Sequence, residues 1–370
     1  MKIIVSGGGT GGHIYPAITL IKTIQEKVKD VEILYVGTKI GLEADIIPKE
    51  GLPFATVDIC GFERRLSLKN IQTLGKAVHG LLQAHKIVRD FQPDVVIGTG
   101  GYVCGPVLLA ASLMHVPTLI QEQNVIPGVT NKILSRFVTK IAAGCQEAVR
   151  HFPADKVCFT GNPIRSEVLT ADRAAAFTRF GLDPAKKTVL ISGGSRGARS
   201  INDAFVDVHR HFAGSSGVQF LHVTGQKEYE AVREKVQAAG IDLMRTDNIL
   251  LEPYLYDMPQ AMAIADLAVF RAGATGLAEL TAKGIPSILI PYPYAAENHQ
   301  EYNAKALADQ GAAVMIRNKD LSAARLIAVI EEILQSEEKL KAMADASRRL
   351  GRPEAAADIA AMVLELAKNR

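Results

Sequence analysis

A short apolar run that ends in glycines and passes into a helix-like segment recurs along this chain, and it limits the possible folds more than any other feature. It occurs as KIIVSGGG at residues 2–9, VEILYVG at 31–37, DVVIGTGG at 94–101, TVLISGG at 188–194, DLAVFRAG at 266–273 and SILIPYP at 287–293. Unbroken apolar runs belong to strands buried on both faces, and helices between such strands imply parallel βαβ units. The sequence therefore predicts an α/β fold with parallel sheets.

The pattern restarts midway. KIIVSGGGTGG at 2–12 has a coarse echo in TVLISGGSRGA at 188–198. Two half-chains that each open with strand, glycine-rich turn and helix point to two Rossmann-like domains, which suits 370 residues at roughly 150 per domain. Gly161-Asn162-Pro163 interrupts regular structure and marks the boundary. The tail from Pro353 to Lys368 is Ala-rich with helical spacing, and Pro353 is well placed at a helix start.

Composition narrows the function classes. With 48% hydrophobic and 22% charged residues the chain is ordinary globular protein. A net charge of +3 is too mild to imply a nucleic-acid partner, although a local basic patch stays open. Cys60, Cys104, Cys145 and Cys158 form no C-x-x-C pair, so neither a zinc site nor a redox motif is expected, and nothing demands a disulfide. The first apolar run is stopped by Gly7, too early for a signal peptide, and no run reaches the ~18 residues of a spanning helix. Membrane contact, if made, is expected to be peripheral.

The first glycine loop, Gly7 to His13, precedes a helical segment expected over Pro16 to Val28. Gly7, Gly9 and Gly12 satisfy G-x-G-x-x-G, the dinucleotide fingerprint. That fingerprint also needs an acid at the end of the second strand for the ribose, and here the strand ends Tyr35-Val36-Gly37-Thr38. The alternative is anion binding, because glycines let the backbone approach and N–H groups at a helix start favour negative charge. Thr99 to Pro106, Ser192 to Ala198 and Arg271 to Glu279 repeat the arrangement. Any one of them is equally read as a tight βα turn; together they point to several phosphate groups. No D-x-D occurs, so a metal-bridged sugar nucleotide is not expected, and helix N-termini are left to neutralise a diphosphate. The sequence implies neither metal nor cofactor.

Seven motifs in order then resemble the MurG family: GGTGGH at 8–13, GGYVCGP at 100–106, QEQN at 121–124, GNPIR at 161–165, GGSRGA at 193–198, RAGA at 271–274 and NHQEYNA at 298–304. The resemblance implies a GT-B type fold, two Rossmann-like domains facing across a cleft. It implies transfer of N-acetylglucosamine from UDP-N-acetylglucosamine to an undecaprenyl-diphosphate-linked acceptor, lipid I to lipid II, in peptidoglycan synthesis. The implied division is residues 1–162 with a C-terminal helix at about 350–370 for the acceptor, and 163–349 for the donor. The implied partners are the donor, lipid I and an anionic membrane surface, at the cytoplasmic face of the membrane.

Carried over residue by residue, the resemblance places Ser195 on the donor diphosphate at a helix start, Glu279 on the ribose diol and Leu255 on uracil through its backbone. Arg165 falls near the donor phosphates and Gln300 on the sugar hydroxyls. Thr10, Gly11, Gly12 and Asn124 are expected to line the donor site from the first domain. Gly9, His13, Gly100, Gly101 and Tyr102 are expected at the acceptor diphosphate, with core packing the equal alternative for Tyr102. The family often has a hydroxyl residue where this chain has Gly276; the adjacent Thr275 is the candidate for that contact, and Ala274 is expected at the donor beside it.

The family reaction inverts the anomeric carbon, so it needs a base for the acceptor hydroxyl. His13, at a helix start, is the candidate, the alternative being that it only orients the loop or bonds a phosphate. Glu122 is the runner-up; otherwise it is a buried acid tying loops together. Ile71, Leu74, Val78 and Leu81 recur at helical spacing among Arg64, Arg65, Lys69, Lys76, Lys86 and Arg89, which reads either as a membrane-docking stripe or as core. His79 and His85, on the same stretch, read as solvated, and His299 as a residue that shapes the pocket beside Gln300. Two other functions fit parts of the pattern. A UDP-N-acetylglucosamine 2-epimerase shares the two-domain plan but needs no lipid-diphosphate loop. A non-catalytic scaffold would lack His13 and Glu279.

Overall fold

The protein is described here by a computed structural model covering residues 1–59 and 69–368, with residues 69–76 as backbone alone. It divides into two compact units, Met1–Ile164 with Pro353–Arg370, and Arg165–Arg352.

The first unit is built on β1 (Lys2–Ser6), β2 (Glu32–Gly37), β3 (Phe54–Thr56), β4 (Val95–Gly98), β5 (Thr118–Glu122), β6 (Lys140–Ala143) and β7 (Val157–Phe159). They form one parallel sheet in the order β3-β2-β1-β4-β5-β6-β7. The second unit holds β8 (Lys187–Ser192), β9 (Val218–Val223), β10 (Ile249–Glu252), β11 (Leu267–Phe270), β12 (Ser287–Leu289) and β13 (Ala313–Met315). Its parallel order is β10-β9-β8-β11-β12-β13. Each sheet thus steps outward from its first strand in one direction and then in the other, the doubly wound arrangement.

The apolar runs explain themselves in three dimensions. Ile3 and Val5 pack on one face of the first sheet with Ile14, Ile21, Ile359 and Val363, while Ile4 packs on the other with Leu108. Val189 and Ile191 likewise share a cluster with Phe205 and Leu326, and Leu190 a separate one with Met262 and Leu280. Both faces are covered, so alternate positions are all apolar. The C-terminal helix is Ala355–Lys368, and its Ile359 and Val363 complete the core of the first unit.

One helix boundary differs from expectation. The first helix is Gly11–Lys27, starting ahead of the predicted Pro16 and leaving Pro16 inside it. Glycine and proline are poor helix formers. Here Ile14, Ala17, Ile18 and Ile21 bury against the sheet, and that packing outweighs local propensity. Among the described residues no helix is long and apolar enough to cross a membrane.

Candidate functional site

In a doubly wound sheet the strand order reverses between the first strand and the fourth, and ligands bind beyond the carboxyl ends of that pair. In the first unit the reversal lies between β1 and β4, in the second between β8 and β11. All four glycine loops follow these strands. Each unit therefore brings two of its candidate turns side by side.

In the first unit the turns interlock. Thr99 donates its backbone N–H to Ser6 O at 2.9 Å and its hydroxyl to His13 O at 2.8 Å. Gly8 N–H reaches Gly100 O at 3.3 Å. His13 sits in the first turn of Gly11–Lys27, half-buried, with Nδ1 2.9 Å from Gly8 O and 3.4 Å from Thr10 Oγ1. A carbonyl only accepts, so Nδ1 carries the proton and the lone pair of the neutral ring lies on Nε2. The ring rests against Gly100, whose φ is +105°; a Cβ there would lie 2.8 Å from His13 Cδ2. Gly101 is beside it, and Tyr102 is half-buried next to Gly9.

Not every glycine amide in this loop faces outward. Gly9 N–H donates to Glu43 Oε2 at 3.0 Å, so this amide is turned into the protein. The first-turn amides of Gly11 and Gly12 are the ones for which a helix offers no internal carbonyl. Glu43 is fully buried and also accepts from Thr38 N at 3.1 Å and Thr38 Oγ1 at 2.7 Å. In sequence it looked like an ordinary acid in a short helix, Leu42–Ile46, and nothing marked it out.

Glu122 ends β5 and is 2% exposed. Its Oε1 accepts from Asn124 N at 3.0 Å and Asn124 Nδ2 at 3.2 Å, its Oε2 from Gly128 N at 3.1 Å and Asn131 Nδ2 at 2.8 Å. Both oxygens are committed to the loop that follows, so the carboxylate is a brace for that loop. Asn124 is held by the same brace. Buried Gln123 donates to Thr99 O at 2.6 Å and Asn162 Nδ2 to Gln123 O at 3.0 Å, joining the second glycine loop to the segment that leaves the unit.

In the second unit the turn after β8 is closed by Gly197 N–H to Gly194 O at 2.9 Å and Gly194 N–H to Ser192 Oγ at 3.2 Å. Ser195 is exposed at its tip. The helix that follows is Arg199–Phe212, so Ser195 stands in the loop just ahead of the helix start. The neighbouring loop after β9 packs so closely that a Cβ on Gly197 would lie 2.1 Å from Thr224 O.

The turn after β11 opens the helix Ala274–Lys283, capped by Gly273 with no side-chain bond. Ala274 and Thr275 form its first turn, and Thr275 Oγ1 is buried with no hydrogen-bond partner among the described residues. One turn on, Glu279 is 3% exposed and accepts from Arg165 Nε at 2.8 Å. Burial pushes its carboxyl pKa up, against the opposing pull of Arg165. Arg271, which sequence reasoning quoted only within a motif, frames this turn. It donates to Ile290 O and Pro291 O at 3.1 Å, Asn318 Oδ1 at 2.9 Å and Ser200 Oγ at 2.9 Å. Gln300, in the helix His299–Asp309, accepts from Tyr292 N at 2.9 Å, which leaves its amide N–H groups as donors. Leu255 is buried in the cluster that holds Phe270 and Leu277.

The apolar stripe on the helix Lys69–Phe91 divides between its two readings where its side chains are described. Arg64 and Arg65 lie outside the described residues, as do the side chains of Lys69, Ile71, Leu74 and Lys76. Leu81 packs against the core of the first unit, and Leu82 joins Val78 on the exposed side, at 65% and 55% exposure. Leu81 thus faces inward and Val78 outward. His79 and His85 are exposed.

Among the described residues no group of three or more His, Cys, Asp or Glu side chains is placed to hold a metal ion. Residues 3–143 match the model of the glycosyltransferase family 28 N-terminal domain and residues 188–360 that of its C-terminal domain. The chain is 50% identical, over 97% of its own length and 97% of the relative's, to a UDP-N-acetylglucosamine--N-acetylmuramyl-(pentapeptide) pyrophosphoryl-undecaprenol N-acetylglucosamine transferase of Desulforamulus reducens. It superposes on the crystal structure of Acinetobacter baumannii MurG with a TM-score of 0.78 at 27% identity, over 98% of this chain and 99% of that one. A UDP-GlcNAc 2-epimerase from Neisseria meningitidis bound to UDP-GlcNAc matches with a TM-score of 0.67 at 15% identity, over 99% of this chain and 100% of that one, a likeness of fold alone.

Proposed function

This chain belongs to glycosyltransferase family 28 and, within it, to the MurG family, and on that premise we propose that it transfers N-acetylglucosamine from UDP-N-acetylglucosamine to the 4-hydroxyl of lipid I. The product is lipid II, the disaccharide-bearing lipid of peptidoglycan synthesis. The observation that carries the reading is the pairing, in each unit, of a switch-point turn with a side chain suited to the chemistry. The first unit offers the Gly11 and Gly12 amides with His13; the second offers the first turn of Ala274–Lys283 with the unpartnered Thr275 hydroxyl and Glu279.

The first unit takes the acceptor and the second the donor. The acceptor hydroxyl attacks the anomeric carbon and UDP leaves from the opposite side, which inverts the centre. His13 Nε2 takes the hydroxyl proton. Charge building on the departing diphosphate is met by the turn at Ser195 and by the amides and hydroxyl at Ala274 and Thr275. Glu279 accepts from the ribose diol, Leu255 meets uracil through its backbone, and Gln300 donates to sugar hydroxyls. Arg165 holds Glu279 and lies towards the donor phosphates. Glu122 is assigned to loop bracing and not to proton transfer, because both its oxygens already accept two N–H groups. On this reading the helix starts, and not a metal ion, meet the diphosphate charge.

A polyprenyl acceptor has to be met at a membrane surface. The exposed Val78 and Leu82, with Lys86 and Arg89 exposed on the same helix, support peripheral contact with an anionic cytoplasmic leaflet.

The test is UDP release from UDP-N-acetylglucosamine with and without a lipid I analogue, in EDTA. Acceptor-dependent release that survives EDTA is expected. Release without acceptor, accompanied by free N-acetylmannosamine, would assign the epimerase reaction instead.

A further inference from the structure

Two hydrogen bonds in the first glycine loop fall on opposite sides of one peptide group. The peptide joining Gly8 to Gly9 gives its N–H to Glu43 Oε2 at 3.0 Å, and its C=O accepts from His13 Nδ1 at 2.9 Å. In a trans peptide the two dipole ends point in opposite directions, so carboxylate, peptide and imidazole form one chain. We propose that Glu43 is the positioning residue for His13, acting through the Gly8–Gly9 peptide much as a carboxylate does when bonded directly to a catalytic histidine.

A negative charge behind the N–H end polarises the peptide and makes Gly8 O a stronger acceptor, since hydrogen bonds in series strengthen one another. That fixes the proton on Nδ1 and the lone pair on Nε2, the atom that must receive the acceptor's proton. It also stabilises the imidazolium that proton transfer creates, the service a triad carboxylate gives its histidine.

The surroundings are built for this chain of groups. Among the described residues, every hydrogen bond of the Glu43 side chain is a donation to it, from Gly9 N, Thr38 N and Thr38 Oγ1, which suits a carboxylate. A Cβ on Gly8 would lie 2.5 Å from Glu43 Oε1, and one on Gly41 2.2 Å from it, so the glycines make room for the carboxylate. Other titratable groups pack on the loop. Tyr35 donates its hydroxyl to Gly7 O at 2.8 Å, Cys104 Sγ lies 3.0 Å from Ser6 O and from Gly100 O, and Tyr102 adjoins Gly9. Burial raises Tyr35 well above its ordinary value and pushes Cys104 up to about 12, so neither rivals Glu43 as a source of charge behind the loop.

The proposal rests on the reading of His13 as base, and the experiment separates the two. Ring-nitrogen NMR of labelled His13 reads its tautomer and its titration directly, in the full-length protein without substrate. The Nδ1–H tautomer is expected in the wild type. In Glu43→Gln, which keeps the shape and removes the charge, the His13 pKa is expected to fall by about half a unit or more. The acid limb of the kcat–pH profile should move down by the same amount, while KM for the donor stays within about twofold. An unchanged His13 titration in folded Glu43→Gln, or an Nε2–H tautomer in the wild type, overturns the proposal. Should Glu43→Gln not fold, Thr38→Val keeps the charge and removes one competing donor; a rise in the His13 pKa is then expected, and no rise overturns the proposal. His13→Ala tests the other reading: full kcat there removes His13 as base without touching the titration result.

Discussion

Arg165 Nε donates to Glu279 Oε1 at 2.8 Å across 114 residues of sequence, with the carboxylate side chain 5% and the guanidinium side chain 35% exposed. The pair is lopsided: the buried partner is the acid. Burial raises its pKa more than Arg165 lowers it, and Glu167 adds a smaller push in the same direction. A carboxyl whose pKa is higher folded than unfolded favours folding most at acid pH, and that contribution is lost as pH rises through the folded value. Above the folded value its charge therefore works against the fold.

Glu279→Gln should accordingly show a melting temperature at pH 7.5 no lower than wild type, with the difference shrinking towards about pH 4. Its KM for UDP-N-acetylglucosamine should rise about tenfold to a hundredfold, because the ribose diol loses an ionised acceptor. Thermal melts and steady-state kinetics on the same preparation check both.

The Thr275 hydroxyl is buried without a partner, and such a group penalises the fold by about 1–3 kcal/mol. Thr275→Val should therefore stabilise the ligand-free protein slightly. It should also weaken donor binding about tenfold, since the diphosphate loses one hydrogen bond. Calorimetric titration with UDP and a melting curve give the two numbers. A loss of stability with unchanged UDP affinity would remove Thr275 from the site.

His13→Ala should lower kcat by about a hundredfold to ten-thousandfold, with donor KM changed only a few-fold. Gly100→Ala should approach that loss without touching a titratable group, because its methyl would press on the imidazole from a backbone with φ +105°. Rate measurements at saturating acceptor analogue decide.

His209 and His222 form a buried pair in the second unit, Nε2 to Nδ1 at 3.0 Å, with His222 Nε2 3.1 Å from Asn202 Oδ1. Burial lowers His209 to about 3 and His222 well below its ordinary value. A histidine with a depressed folded pKa favours folding fully above the unfolded value near 6.5 and loses that contribution as pH falls. Stability of the second unit should drop below pH ~6.5 by up to about 1.4 kcal/mol per pH unit for each histidine. Denaturant titrations at pH 7.5 and 5.5 test this, and replacing His222 with Gln should flatten the slope.

The sequence by itself determined a good deal of this protein. Unbroken apolar runs such as KIIVS and TVLIS determined strands covered on both faces, because each face must find an apolar partner. Glycines after β1, β4, β8 and β11 marked the turns at the two strand-order reversals, and His13 stood at one of them. β9, VQFLHV, escaped the pattern because Gln219 and His222 interrupt its apolar run. Both are buried, satisfied by Thr188 Oγ1 and by His209, partners that no local spacing reveals. Only the tertiary structure decided that Leu81 faces inward and Leu82 outward, that Glu122 braces a loop, and that Glu43 lies behind His13. The physical reason is the same each time. Periodicity reports which side of an element is dry, whereas the role of a buried polar group depends on which donors the rest of the chain carries to it.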